Sequence, residues 1–234
     1  MSSSLSTATL HIVERLWEDR MRAHEGALSS SEVSFVEWPG FTAAVVVDIG
    51  ESVLVAGPAA AIERLRELPR DGLTDASAAG AALGDLRPRL VGQALLAYAD
   101  ESTFTPALAA FTVRQADRGE VEQAVSRCEP EDRDESGLLE MSAWFVAEDE
   151  GVPVAAAGYE TWPRSVAHCG VAVGAEHRGR ELGQAVASEA VGHALREHTV
   201  AQWRSRDTNV ASTRIGARLG FVLMGTQTAF ELHT

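Results

Sequence analysis

The stretch with the clearest chemical pattern runs from Val171 to Gly183, where an apolar segment meets a glycine-containing turn and then a long helical pattern. Backbone N–H groups at a helix start, the positive end of the helix dipole and the side chains of Arg178 and Arg180 together favour an anion. The spacing is neither that of the dinucleotide fingerprint GxGxxG nor that of a Walker loop. We interpret the stretch as an anion site; the alternative is an ordinary strand-to-helix turn with solvated arginines.

A second stretch, from Asn209 to Phe221, marks both ends of a helix. Asn209 and Ser212 lie three residues apart at its predicted start, where either side chain can cap backbone N–H groups. The Leu-Gly-Phe segment at 219–221 is typical of a glycine C-cap that leads into a strand. Considered alone, this pattern indicates only where a helix begins and ends.

Taken together, in this order and about 30 residues apart, the two stretches resemble the GNAT superfamily of acyl-CoA-dependent N-acetyltransferases. The family's Arg/Gln-x-x-Gly-x-Gly/Ala pyrophosphate loop matches residues 178–183, and its Asn-x-x-Ser/Ala segment with a later Leu-Gly-Phe matches Asn209, Ser212 and 219–221. The resemblance covers residues 110–234 and implies an α/β (α+β) fold there, a mixed, mostly antiparallel, twisted sheet flanked by helices.

The resemblance also implies acetyl-CoA as co-substrate, with no metal. The strand 171–173 would hold the pantetheine arm, residues 178–184 would wrap the pyrophosphate, and Asn209 and Ser212 would face the distal pantetheine and the thioester. The implied cofactor-binding residues are Val171, Ala172, Val173, Arg178, Gly179, Arg180, Glu181, Leu182, Gly183, Gln184, Asn209 and Ser212.

Two positions depart from the family pattern. Glu181 stands where the loop has its middle glycine, which places a carboxylate near a pyrophosphate or turns it outward. Gly216 stands where the family often has a tyrosine that serves as general acid. Another group or water must then protonate the leaving thiolate, and Ser212 is one candidate.

Three further residues are candidates for the chemistry. Glu160, near the end of one predicted central strand, and His168, in the next, occur where the family's general bases lie. Histidine titrates near neutrality, whereas Glu160 would need its pKa raised by burial, and a structural role remains open for each. Cys169 could form an acetyl-enzyme, but it is more simply a small buried hydrophobe.

The elements that must position these residues follow the order β-α-α-β-β-β-α-β-α-β from residue 110 onward. Hydrophobic periodicity and cap signals predict them. The predicted elements are a strand at 111–115, a helix capped by Asp117, an acidic turn or short helix at 129–136, a hairpin of 141–147 and 152–161, a strand at 165–173, a long helix from Leu182, a strand at 200–204, a helix at 211–219 and a strand at 221–232.

Residues 1–109 are predicted to form a separate, small α/β domain in which we find no chemical motif. One interpretation is a degenerate second copy of the GNAT fold. Because it lacks a loop like 178–183, we expect it to contribute to the acceptor site or to packing, and not to bind a second CoA. Its predicted elements are a helix at 7–28, strands at 43–49 and 52–56, a helix opened by Pro58, an Ala-rich helix at 74–83 and an apolar run at 94–98.

Composition excludes several functions. All 20 basic residues are arginine, so Schiff-base chemistry and a P-loop lysine are excluded, and the net charge of −14 argues against nucleic acid or an anionic membrane as partner. No run approaches the length of a membrane span, and no export signal is evident, so we expect a cytoplasmic protein with reduced cysteines. Glu189 and His193 could share a metal, but a solvated helix face is the simpler interpretation.

The leading interpretation is an acyltransferase that moves an acetyl group from acetyl-CoA to a primary amine of a small, cationic acceptor by direct attack. The cationic preference rests on segment 117–150, which has 12 carboxylates and 3 arginines. One alternative, suggested by Glu181 and Gly216, is a CoA-binding sensor or regulatory protein with weak or no catalysis. Another is a peptide N-terminal acetylase. Monomer and homodimer are both open.

Overall fold

The computed structural model of the chain describes residues 4–108 and 111–233. It divides into two compact units. The first comprises Met1–Thr9, Ala97–Ser205 and Asn209–Val222, and the second comprises Leu10–Leu96, Arg206–Thr208 and Leu223–Thr234. The predicted division between residues 109 and 110 lies outside the described residues. The last strand of the chain belongs to the second unit.

Ten strands and eight α-helices are found in the described residues. In chain order they are α1 (Thr7–Arg20), β1 (Val33–Glu37), β2 (Ala43–Ile49), β3 (Ser52–Gly57), α2 (Ala59–Leu65), α3 (Arg70–Thr74), α4 (Ala76–Ala82), β4 (Arg89–Ala99), β5 (Val113–Ala116), α5 (Arg118–Val125), α6 (Pro130–Ser136), β6 (Ala143–Asp149), β7 (Val152–Trp162), β8 (Val166–Val173), α7 (Leu182–Glu197), β9 (Val200–Arg206), α8 (Val210–Arg218) and β10 (Val222–Glu231).

In the first unit the strands lie in the order β9-β8-β7-β6-β5. All neighbouring pairs are antiparallel except β8 with β9, which are parallel. Alternate residues of β6 and β7 face opposite sides: Phe145 and Ala157 pack with α7, whereas Val146 and Ala156 pack with α5. The predicted fold class, a mixed and mostly antiparallel sheet flanked by helices, is confirmed, and so is the element order from residue 110.

Local signals explain the element ends in this unit. Asp117 and Glu120 form a reciprocal capping box at the start of α5. The β6–β7 hairpin turns through Glu150 and Gly151, both with positive φ. The Asn209 side chain accepts a hydrogen bond from the Ser212 N–H at 3.0 Å and so caps α8.

The second unit has the strand order β1-β3-β2-β10, with β1 and β3 parallel and the other pairs antiparallel. Here several predictions were wrong. The first helix ends at Arg20 and not at 28, because Arg22 has a φ of 57° and the buried Glu18 carboxylate accepts the Leu28 N–H at 3.1 Å. The Ala-rich helix predicted at 74–83 is present as α4 but begins two residues later, because Asp75 has extended backbone and caps α4 with its side chain; α3, which ends at Thr74, was not predicted. Strand β1 was not predicted.

The helix after Pro58, predicted to run through Leu68, ends at Leu65, and the run at 94–98 lies within the longer strand β4. No helix in the described parts of the chain is long and apolar enough to span a bilayer.

A buried carboxylate ties the N-terminal segment to the end of β4 in the first unit. Asp100 accepts hydrogen bonds from the Thr9 hydroxyl at 2.7 Å, the Ser6 N–H at 3.0 Å and the Ser102 hydroxyl at 2.6 Å. Burial by itself raises the pKa of Asp100, but these hydrogen bonds outweigh it and lower the pKa from 3.8 to about 2. The ionised form of Asp100 is therefore more stable in the folded state than in the unfolded chain.

We expect Asp100→Asn to lower the free energy of unfolding by about 2 kcal/mol at pH 7, the free-energy equivalent of this pKa shift. Because the folded-state pKa is depressed, the difference from wild type should shrink as the pH falls from about 4 towards 2. Urea unfolding at several pH values measures it. The neighbouring, exposed Glu101→Gln is the control and should change little. A difference independent of pH would contradict the assignment.

Candidate active site

The two parallel strands β8 and β9 separate part of the way along their length. Their pairing runs from Val166 opposite Val200 to Cys169 opposite Trp203, while β8 continues to Val173. Beyond the last pair, residues 171–173 line a cleft of about 470 Å³, together with the start of α7 and one face of α8. The separation of the strands therefore opens the cleft that the two sequence motifs share.

The turn between β8 and α7 presents backbone to this cleft. Gly179 has a φ of +76°, a left-handed conformation that suits glycine, and a Cβ there would meet nothing within 4 Å. Glu181 also has a positive φ, 62°, and precedes α7 without capping it through its side chain. The first-turn N–H groups of a helix have no acceptor within the helix, so the start of α7 favours an anion.

Each arginine of the turn pairs with a carboxylate. The Arg178 guanidinium contacts Asp132 of α6, and both residues line the cleft. Arg180 contacts Asp149 in the β6–β7 hairpin at 2.7 Å, and it lowers the pKa of that carboxyl. Arg180 is not among the cleft-lining residues. The two arginines therefore differ in access to a ligand in the cleft.

Helix α6 also reaches the second motif. Its Glu135 accepts a hydrogen bond from the Asn209 amide at 3.2 Å, while the Asn209 oxygen caps α8. Ser212, half-buried on the first turn of α8, accepts a hydrogen bond from the Trp203 indole N–H at 3.0 Å. The acidic helix α6 thus contacts one residue from each motif.

A smaller cavity of about 60 Å³ shares part of its lining with the cleft. Asp132, Val171, Asn209 and Ser212 line both. His168 lines the smaller cavity, which places an imidazole close to the shared residues. Further lining comes from Glu135, Ser136, Cys169, Gly170, Trp203 and Arg204.

The imidazole of His168 is held by neighbours on β7 and β9. Its Nδ1 lies 3.0 Å from the Gln202 Oε1, and the Gln202 amide donates to the Tyr98 hydroxyl at 2.8 Å. An amide oxygen can only accept, so Nδ1 is the donor in this contact, and in the neutral ring Nε2 is then the nitrogen without a proton. The Trp162 ring stacks on the imidazole at a centroid distance of 4.4 Å, and its N–H donates to Glu160 at 2.6 Å.

Cys169 is not a plausible nucleophile in this arrangement. Its side chain is 4% exposed, and burial raises the pKa of its thiol to about 12. The thiolate, which is the reactive form, is therefore scarce near neutral pH. The simpler interpretation, a small buried hydrophobe in a central strand, agrees with its place in the core of the first unit.

The structure brings most of the predicted site residues together. Eleven of the twelve predicted cofactor-binding residues line the cleft, and Arg180 is the exception. Among the predicted catalytic residues, His168 and Ser212 line the smaller cavity, whereas Glu160 lines neither space and accepts from Trp162. No group of three or more potential metal ligands occurs in the residues that the structure describes.

Sequence reasoning missed three residues that contact the site residues. Asp132 and Glu135 lay within a stretch noted only for its acidity. Gln202 contacts His168, yet no sequence motif includes it. The pairing of His168 opposite Gln202 depends on strand register, which the sequence does not specify.

An open, mixed sheet whose parallel strand pair separates beside a helix start is the fold that the resemblance to the GNAT superfamily implies. Residues 110–221 match the Acetyltransferase (GNAT) family. The matched segment is just under half of the chain and contains both motifs. A comparison with curated proteins gave no match.

Solved structures support the fold. A GCN5-related N-acetyltransferase from Kribbella flavida is 20% identical, with a TM-score of 0.51, over 66% of this chain and 63% of that one. A GNAT-family acetyltransferase from Novosphingobium aromaticivorans is 20% identical with a TM-score of 0.50, over 63% and 68%. A GCN5-related N-acetyltransferase-like protein from Streptococcus suis is 17% identical with a TM-score of 0.50, over 82% and 84%. The chain spans less than two thirds of the Kribbella protein.

The positive φ of Glu181 predicts that Glu181→Gly stabilises the protein. A left-handed conformation costs a non-glycine residue about 1–2 kcal/mol, and glycine loses part of that gain through its greater freedom in the unfolded chain. We expect the free energy of unfolding, measured in urea, to rise by about 0.5–1 kcal/mol. Glu176→Gly is the matched control, because Glu176 is exposed and has no positive φ. Glu176→Gly should lower the free energy of unfolding by about 0.5–1 kcal/mol. A change of the same sign and size in both variants would contradict the backbone strain at Glu181.

Proposed function

We propose that the protein is an N-acetyltransferase that moves an acetyl group from acetyl-CoA to a primary amine of a small, cationic acceptor. The observation that carries the proposal is the single cleft into which both motifs fold, with eleven of the twelve implied cofactor-binding residues lining it. The family match supports transfer over a function limited to CoA binding.

The residues of the cleft fit a phosphate-containing co-substrate. The uncapped start of α7 and the Gly179 turn offer backbone N–H groups, while Arg178, Arg214 and Arg218 add positive charge along the lining. The strand edge 171–173 would lie along the pantetheine arm. Bound acetyl-CoA would supply the acetyl thioester.

We assign the general base to His168. Gln202 holds Nδ1 as the donor, so Nε2 can accept a proton from the acceptor amine. The amine nitrogen then attacks the thioester carbonyl carbon, and N–H groups at the cleft stabilise the oxyanion. The carbon–sulfur bond breaks with its electron pair on sulfur, Ser212 donates a hydrogen bond to that sulfur, and solvent protonates the released thiolate.

The acceptor preference follows from the acidic helix α6. Asp132 and Glu135 line the smaller cavity beside His168 and Ser212, so a cationic amine gains favourable electrostatic interaction there. The surrounding segment 117–150 has 12 carboxylates and 3 arginines, which extends the same preference over a longer range.

The test is release of CoA thiol from acetyl-CoA in the presence of polyamines, aminoglycosides and amino acids. We expect amine-dependent release with at least one cationic acceptor, and none above background in the whole panel would overturn the proposal. His168→Gln should lower kcat by about 10²-fold or more, the usual contribution of a general base. Glu160→Gln should cost less than tenfold, because a glutamine oxygen can still accept from Trp162. The reverse ranking would assign the base to Glu160.

Asp132 competes with a ligand phosphate for Arg178, so Asp132→Asn should tighten CoA binding. We expect a threefold to fivefold lower Kd at low salt, because an exposed ion pair contributes at most about 1 kcal/mol. The effect should shrink at 0.5 M salt, about five times the ionic strength at which the Debye length is 10 Å.

Isothermal titration calorimetry with CoA measures this effect, and Asp149→Asn is the matched control. Asp149 pairs with Arg180, which does not line the cleft, so its substitution should leave Kd within twofold. Weaker binding in Asp132→Asn would show instead that Asp132 orients Arg178 for the ligand.

We also infer one CoA per chain, because no second turn like 178–183 occurs in the sequence.

A further inference from the structure

Trp203 determines how the hydroxyl of Ser212 can be used. The indole is 3% exposed, and its N–H donates to the Ser212 Oγ at 3.0 Å. An indole nitrogen is only a donor, so the serine oxygen is the acceptor and the serine proton must point elsewhere. Among the described residues no acceptor for that proton is found, while Ser212 lines both the cleft and the smaller cavity.

The Trp203 ring is itself held firmly. It lies at the last paired position of β9, opposite Cys169, where the two parallel strands begin to separate. Phe221 packs against it with a centroid distance of 5.4 Å. Both contacts keep the indole N–H at one point above the first turn of α8.

Gly216 completes the arrangement by leaving room for the ring. A Cβ at position 216 would lie 3.1 to 3.3 Å from three atoms of the Trp203 indole, closer than ordinary side-chain contacts. A large side chain at 216 and the present Trp203 position therefore exclude each other. The resembling family often has a tyrosine that serves as general acid at this position. Here the position is Gly216, and the Trp203 indole beside it donates a hydrogen bond to Ser212.

We propose that Trp203 is a positioning residue that aims the Ser212 hydroxyl proton at the leaving sulfur. The inference rests on the proposed acetyl transfer. In the step concerned, the carbon–sulfur bond of the tetrahedral intermediate breaks and its electron pair goes to sulfur. The Ser212 O–H donates a hydrogen bond to this sulfur without losing its proton, and CoA departs as a thiolate that solvent protonates. Trp203 contributes by donating its N–H to the serine oxygen, so that the serine proton points away from the indole.

The test uses Trp203→Phe, which keeps an aromatic ring but removes the N–H donor together with part of the volume of the buried indole. We expect kcat to fall about tenfold with the acetyl-CoA KM within twofold of wild type, because the lost contact acts on bond breaking. In a Ser212→Ala background the same substitution should have no further effect on kcat, since the group it orients is gone.

Trp144→Phe is the matched control. Its indole N–H also donates within the protein, to the Leu138 carbonyl at 2.8 Å, but it lines neither the cleft nor the smaller cavity. Thermal unfolding and CoA affinity of all variants separate damage to the fold from loss of positioning. Equal kcat losses in Trp203→Phe and Trp144→Phe, or additive losses with Ser212→Ala, would overturn the positioning role alone. A wild type that releases no CoA with any amine would overturn the proposed function, and the positioning role with it.

Discussion

The end of the β8–β9 pairing, at Cys169 opposite Trp203, is the constraint on which the candidate site depends. A buried strand edge must satisfy its N–H and C=O groups, so a parallel pair that separates exposes polar backbone to whatever enters the gap. The packing of α6 against β8 fits this geometry: a Cβ on Gly170 would lie 2.3 Å from the Ser136 carbonyl oxygen. His168 is the last but one paired residue, and Ser212 lies across the gap on α8.

Charge is distributed around that gap in opposed pairs. The chain carries −14 overall and has only arginine as a strong cation, so any anion site must use guanidinium groups and backbone. Arg178 and Arg180 each contact a carboxylate across the fold, at half-exposed positions where ion pairs stabilise a protein little. Each pair matters because its carboxylate partly neutralises an arginine that could otherwise attract a polyanion. Only the pair of Arg178 with Asp132 lines the cleft.

The sequence predicted what depends on local signals. The Asp117 capping box, the Asn209 cap and the order of elements from 110 onward follow from side chains that bond to their own backbone and from hydrophobic periodicity. Strand register has no such local signal, so the contact of His168 with Gln202 could not be predicted. The end of α1 also depends on a distant event, the burial of Glu18 against the Leu28 N–H. Strand β10 belongs to the second unit because it pairs with β2, which is likewise far away in the sequence.

The two departures from the family pattern differ in how the structure accommodates them. At Glu181 the backbone keeps the left-handed conformation that glycine adopts readily, so the residue carries backbone strain, and its exposed carboxylate pairs with Arg218 at 3.7 Å. At Gly216 the missing side chain is replaced: the Trp203 indole fills the space and takes up a hydrogen bond to Ser212. A catalytic domain can tolerate the first change as a loss of stability, because the turn geometry survives. The second change leaves Ser212 in contact with an indole from the neighbouring strand, and with no side chain from position 216.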